Sequence, residues 1–180
     1  LPTVEAPGKP GDKDLSLNSK SKSLEPGNYR TVTISNGARL TLEAGTYIFE
    51  KLDISGGTRI ELAGDGPVQI FVSKEMQLSN GARLSENGTR PELLQIYLGD
   101  GAKYDQSGGT DLVGVVYGPG ADMELSNSAT IFGALVGDRV KLSGAASIHY
   151  DVALAEFSPT GSNSGGGSSS GLTVLFRQRL

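Results

Sequence analysis

The chain has 180 residues, a net charge of −4, 26 glycines and no cysteine. Its length suits one domain with tails, and the missing cysteines exclude a disulfide scaffold and any thiolate metal site. Lysine and arginine are scattered, leaving no basic face for nucleic acid, and no apolar run approaches the ~20 residues needed to span a membrane.

Residues 1–27 are polar, are punctuated by Pro2, Pro7, Pro10 and Pro26, and read as an extended lead-in. The first residue is Leu1, with neither Met nor a signal peptide, so the sequence reads as a processed or excised piece whose targeting segment, if any, lies outside it. Residues 28–157 form the expected folded domain. Short apolar-polar-apolar triplets run through it: Val32–Ile34, Leu40–Leu42, Leu52–Ile54, Ile60–Leu62 and Met123–Leu125. Their period of two predicts strands, and glycines recur too often for long helices. The one candidate helical turn is His149–Phe157. The fold class is all-β.

The strongest signal is an internal repeat. "SNGARL" occurs at Ser35–Leu40 and Ser79–Leu84, and "SGGTRI" at Ser55–Ile60. The turn serine recurs at Ser35, Ser55, Ser79, Ser107, Ser126 and Ser143, 17–28 residues apart. A second strand family precedes the turns: "GTYIFEKL", "PVQIFVSK", "LLQIYLGD", "LVGVVYGP" and "IFGALVGD". A propeller blade needs about 40 residues, and a sandwich has no reason to repeat one turn. The spacing therefore predicts a short parallel β-helix, a right-handed β-solenoid of about six coils and roughly 30 Å at ~4.8 Å per coil.

Such a coil gives the repeated turn a mechanical role. Val32 and Ile34 point inward, the turn makes a corner, and Ala38, Leu40 and Leu42 point inward on the next face. Gly37, Gly57 and Gly81 supply positive φ at the corners. Arg39, Arg59 and Arg83 point outward and stack in neighbouring coils, with Glu43 and Glu61 close enough in sequence to offset them. The sharper alternative is an anion-binding stripe. Thr130 and Ser147 break that series, so the corner is read as structural.

Candidate chemistry is sparse. Stacked coils could pair carboxylates from Asp53, Asp65, Glu75, Asp105, Asp122 and Glu124 as a glycosidase requires, but none forms a rigid double-Asp motif. No enzymatic activity is expected. His149, the only histidine, sits beside Tyr150 and Asp151, either as a proton relay or as a polar cap on the last coil. The two "GDG" runs, Gly64–Gly66 and Gly99–Gly101, read as turns and not as calcium loops. Outward Thr33, Asp53, Gln77, Glu124 and Lys141 lack the flat threonine array of an ice-binding face. "NGT" at Asn87–Thr89 is a glycosylation sequon with little weight. No cofactor and no metal is expected.

After the domain, residues 158–171 are rich in glycine and serine, with the composition of a tether. Residues 172–180, "LTVLFRQRL", alternate like a strand. Leu172, Val174, Phe176, Arg177 and Arg179 are the candidate assembly residues.

The ordered run from "EPGNYRTVTISNGARL" through "GVVYGPGADMEL" to "SIHYD", about Pro26 to Leu154, resembles a bacterial domain of poorly defined function. That domain lies C-terminal to PilX-type pilin-like segments in type IV pilus assembly proteins and in related surface proteins. "LFRQRL" is similar to a terminal Ser-Trp-Arg-Glu-like strand in that family, with Phe176 for the tryptophan and Gln178 for the acid. The resemblance implies an extracellular or envelope location in a bacterium and protein partners, either pilus components or further copies in a homopolymer. It implies no catalytic residue. It makes the tail a native strand that packs on its own solenoid or a neighbour's. The competing expectation is a surface domain that binds or cleaves carbohydrate, with Tyr97, Tyr104 and Tyr117, read as lying in or near the core, as its candidate aromatics. A cytoskeletal polymer inside the cell is the third.

Overall fold

Each triplet lies over its copy one coil away, in parallel register, because only that arrangement keeps every inward side chain on an inward neighbour. The computed structural model describes residues 1–85 and 90–156. Its strands are β1 (Leu15–Asn18), β2 (Ser21–Leu24), β3 (Gly27–Ser35), β4 (Arg39–Ile54), β5 (Arg59–Leu78), β6 (Arg83–Leu84), β7 (Leu94–Leu98), β8 (Lys103–Gln106), β9 (Asp111–Leu125), β10 (Thr130–Leu142) and β11 (Ser147–Tyr150). Two short 3-10 turns, Pro91–Leu93 and Val152–Glu156, complete the elements. All eleven strands join one sheet, and all their pairings are parallel. This is a β-solenoid with three faces.

On the first face the inward column reads Leu17, Ile34, Ile54, Leu78, Gln106, Leu125 and Leu142, which marks seven coils. On the second it reads Lys22, Leu40, Ile60, Leu84, Leu112, Ile131 and Ile148. The third face stacks Gly45–Phe49, Val68–Val72, Leu94–Leu98 and then β9 and β10. The count exceeds the expected six because β1 and β2 form a first coil inside the stretch read as lead-in. Their segments, "LSL" and "SKSL", carry no Ser-Asn-Gly turn to advertise them, and the second is not an apolar-polar-apolar triplet.

The corner between first and second faces explains the repeat. At six successive corners two consecutive residues take positive φ: Asn36 and Gly37, Gly56 and Gly57, Asn80 and Gly81, Gly108 and Gly109, Asn127 and Ser128, Gly144 and Ala145. Two such residues make the tight reversal of a type I′ turn, for which Asn and Gly are preferred. The turns also join the coil-to-coil ladder. Gly37 N donates to Gly56 O at 2.7 Å, Gly57 N to Asn80 O at 2.8 Å, Gly81 N to Gly108 O at 2.8 Å and Gly109 N to Asn127 O at 2.9 Å. The first turn position alternates Asn, Gly, Asn, Gly, Asn, Gly up the stack. A Cβ on Gly56, Gly108 or Gly144 would lie 2.9–3.0 Å from the backbone nitrogen of the asparagine one coil below. The repeating unit is therefore two coils.

Residues 1–14 contain no strand and form an extended segment packed against the solenoid. They run down the outside of the third face, from Tyr117 past Ile48 to Arg30, where Ile48, Phe71, Tyr97 and Tyr117 form a second apolar cluster with Val4 and Val136. The turn at Val152–Glu156 returns to the same face, burying Leu154 against Val115 and Ala134. This turn falls within the helical stretch expected at His149–Phe157, whose first residues instead belong to β11.

Two glycines of one corner should separate strain from contact. Gly57 has φ +68° and nothing within 4 Å of an added Cβ, so Gly57→Ala bears only the left-handed backbone cost of about 1 kcal/mol. Gly56→Ala adds a clash with Asn36 N and is expected to lose about 2–3 kcal/mol. Urea unfolding midpoints of the two variants would test the order, and equal losses would refute the turn-stacking account.

Candidate functional site

The turn residues Ser35, Gly37, Ser55, Gly57, Ser79, Gly81, Ser126 and Ser143 all lie at one corner, spread over five coils. They form a column of backbone contacts, with no convergent group of side chains. The arginine stack is real: Arg39, Arg59 and Arg83 occupy one outward column, followed by Asp111 in the next coil. Arg39 pairs with Glu61 at 3.5 Å and Arg83 with Asp111 at 3.7 Å. Carboxylates thus hold part of the column, as an offset charge ladder would require. Exposed pairs of this kind contribute about 0–1 kcal/mol each.

The first face carries the carboxylates. One outward column runs Thr31, Lys51, Glu75, Lys103, Asp122, Arg139, and its neighbour Thr33, Asp53, Gln77, Asp105, Glu124, Lys141. Charge alternates along the first of these, so neighbours pair: Lys51 with Glu75 at 3.0 Å and Arg139 with Asp122 at 2.9 Å. Lys141 reaches Glu124 at 2.8 Å. Burial, then the neighbouring Glu75, raises the Asp53 carboxyl above its ordinary range. Asp105 is raised by burial first, then by Glu124 and Glu75, against the lowering pull of Lys103. A shallow groove of about 360 Å³ runs over Lys103, Asp105, Asp122, Met123, Glu124 and Arg139 to Lys141. Among the described residues no three His, Asp or Glu side chains are grouped to hold a metal ion.

The three candidate tyrosines separate. Tyr104 lies inside the solenoid and donates to Gln106 Oε1 at 2.7 Å. Gln106 Nε2 in turn donates to the carbonyls of Thr110 (3.2 Å) and Thr130 (3.0 Å). Burial pushes the Tyr104 hydroxyl far above its ordinary pKa. Gln106 thus replaces an aliphatic in the first-face column, and its coil is the one whose sequence, "YDQSGGTDL", fits the repeat least well. Tyr97 and Tyr117 point outward on the third face, beneath residues 1–10. Burial raises the Tyr97 hydroxyl to about 12. Sequence pattern does not reveal their cover, because period two cannot say whether an outward residue meets water or another segment. The carboxylates and these two aromatics therefore occupy different faces.

The ends of the solenoid differ. At the lower end Leu17 and Leu24 are buried, and the inward column of the second face terminates in Lys22, which is exposed. At the upper end Val140 and Leu142 are 41% and 45% exposed. Among the described residues the stretch Arg139–Leu142 pairs on one side only, with β9. Phe132 and His149 are outward in the last two coils, with rings stacked at 5.0 Å. His149 is placed as a surface residue of the last coil, on Phe132. The assembly candidates Leu172, Val174, Phe176, Arg177 and Arg179, like the sequon at Asn87–Thr89, lie outside the described residues. No described helix is long and apolar enough to cross a membrane.

A family described as a domain of unknown function, DUF7305, matches residues 9–157. No curated protein matches the chain. No solved structure matches it either.

The raised carboxyl of Asp105 means that the folded state binds its proton more readily than the unfolded chain, so its contribution falls as pH rises from about 3.9 through the raised value. Asp105→Asn should raise the melting temperature at pH 7, with the gain vanishing in thermal scans below pH 3.9. A gain that persists in acid would refute the assignment. Thr58 and Thr110 occupy equivalent buried corners, but Thr58 Oγ1 donates to Ser55 O at 2.6 Å while Thr110 Oγ1 has no partner among the described residues. Thr58→Val should lose about 1 kcal/mol, and Thr110→Val should lose none or gain. Calorimetry of the pair distinguishes them.

Proposed function

We propose that this chain, which belongs to the DUF7305 family of unknown function, is a non-enzymatic structural subunit of a bacterial envelope or exterior, pilus-associated or self-assembling through the upper solenoid end and the C-terminal segment. The observation that carries this reading is the asymmetry of the two ends. Among the described residues both ends leave strands paired on one side only, β1 and β2 below and Arg139–Leu142 above, but the upper edge also exposes the large apolar side chains of Val140 and Leu142, which makes it the readier template for an added strand. The lower end presents Lys22 in an inward column. Stacking one solenoid directly on another would bury that ammonium against apolar side chains, at a cost of several kcal/mol. An extended apolar segment is the better cover.

Leu172, Val174 and Phe176 recur with period two, the same spacing as Val140 and Leu142. In this proposal they are the strand that is added at that edge, donated by a second copy in a filament. The bacterial surface setting and the pilus association rest on the motif likeness between about Pro26 and Leu154. The other reading, a surface domain binding or cleaving carbohydrate, would gain from aromatics beside paired carboxylates. Here Tyr97 and Tyr117 are covered on the third face, and Asp53, Glu75 and Asp105 stand on the first.

Electron microscopy of the full chain is the direct test. Filaments or ordered oligomers are expected, and they should be lost on deletion of Leu172–Leu180 and on Leu142→Lys, with the circular dichroism of the solenoid unchanged. Monomers at all concentrations, or assembly indifferent to both changes, would refute the reading.

A further inference from the structure

The third face carries an outward ladder of large apolar residues, one per coil: Ile48, Phe71, Tyr97 and Tyr117, continued by Val136. The Phe71 and Tyr97 rings stack at 4.8 Å, and Tyr97 meets Tyr117 edge-on at 6.4 Å. Rings stacked along the solenoid axis present their edges outward, so the ladder forms an apolar groove and not a platform for a flat ligand. In a monomer this stripe would be an exposed apolar patch that demands a cover. Residues 1–10 provide it.

The cover is thin. Val4 and Pro10 are half-buried, while the other eight residues of the segment are exposed. Residues 1–14 include no strand, and so form no ladder with the solenoid. Tyr117 donates its hydroxyl hydrogen to Pro2 O at 2.8 Å. A cavity of about 300 Å³ remains between segment and ladder, bounded by Val4, Ala6, Lys9, Phe71, Ser73 and Tyr97. The firm attachment is lower down. Arg30 N donates to Lys13 O at 2.9 Å, the Arg30 guanidinium pairs with Asp14, and Thr31 N donates to Asp14 Oδ1 at 3.1 Å. Gly11 lies between this anchor and the covering segment, so close to the Asn28 carbonyl that an added Cβ would meet it at 2.5 Å.

We propose that the groove over Ile48, Phe71, Tyr97 and Tyr117 is an intermolecular docking surface that accepts residues 1–10 of a second copy of this chain in exchange for its own. The groove already recognises that segment: the Pro2 carbonyl meets Tyr117, Val4 enters the cluster, and Gly8 approaches Ile48 where a Cβ would lie 3.3 Å from its Cδ1. The exchanged form repeats these contacts between copies, so it costs only the tether's effective concentration, the usual reason that swapping is an easy route to dimers. An element with one polar contact and no strand pairing belongs to the low-stability end of local opening. This surface is separate from the upper end, and neither depends on the other.

The natural chain lacks cysteine, so single thiols report cleanly. Ala6→Cys and Ser73→Cys, which bound the same cavity, are made in separate chains, mixed at high concentration and oxidised. A mixed disulfide between the two variants is expected in clear excess over either homodimer, and it should fall about tenfold or more when the Ala6→Cys chain also carries Val4→Asp. A statistical mixture of the three dimers overturns the proposal. If the thiols do not reach, as a doubly substituted chain that fails to close its own disulfide would reveal, light scattering decides. A concentration-dependent dimer that disappears with Val4→Asp but survives deletion of Leu172–Leu180 supports exchange. A monomer at every concentration overturns it, and a dimer lost only with the C-terminal deletion assigns association to the upper end instead.

Discussion

The whole architecture depends on one constraint: the chain must turn a corner in two residues without leaving the parallel ladder. A type I′ turn does this because both residues adopt left-handed φ, and here the turn's own N–H groups bond to the coil above. Corner and strand are thus one continuous hydrogen-bonded column. With the corner fixed, inward and outward positions follow for several residues on either side. The inward columns Leu17 to Leu142 and Leu40 to Ile148, aliphatic but for Gln106, can then stack, each buried aliphatic side chain contributing on the order of 1.5–3 kcal/mol.

Much of this was legible in the sequence, because the corner demands particular residues. Asn36, Gly37, Gly56, Gly57, Asn80 and Gly81 announce left-handed backbone, and the flanking triplets announce which way side chains point. The inward assignment of Val32, Ile34, Ala38, Leu40 and Leu42 and the outward stack of Arg39, Arg59 and Arg83 both came from that pattern. The first coil was hidden for the complementary reason: its corner at Asn18–Lys20 uses Ser19 at positive φ, and a serine gives no such announcement. A serine also stands at Ser128 and an alanine at Ala145, and those coils were found only through their flanks.

The outer surface was far less legible. Period two distinguishes inside from outside but cannot say what an outward Phe71 or Tyr97 touches. The match between residues 1–10 and the third face is a meeting of segments more than 40 residues apart in sequence, as Val4 and Ile48 show. No local rule encodes it. Gln106 is a related case, since glutamine in an inward column looks like an error until Tyr104 and the carbonyls of Thr110 and Thr130 are seen to satisfy it.

Both ends of the described stretch rest on the third face, Pro2 against Tyr117 and Leu154 against Val115 and Ala134. Tyr117 and Val115 are two residues apart on one strand, so the points where the two ends lie on the solenoid are neighbours. Tension applied through those ends would therefore bypass the coil-to-coil ladder at first and fall on a few side-chain contacts. These would peel away one after another, each at low force, before any turn of the solenoid had to unwind. The two segments would thus be slack in series with a stiff rod, able to lengthen before the solenoid itself loses its fold.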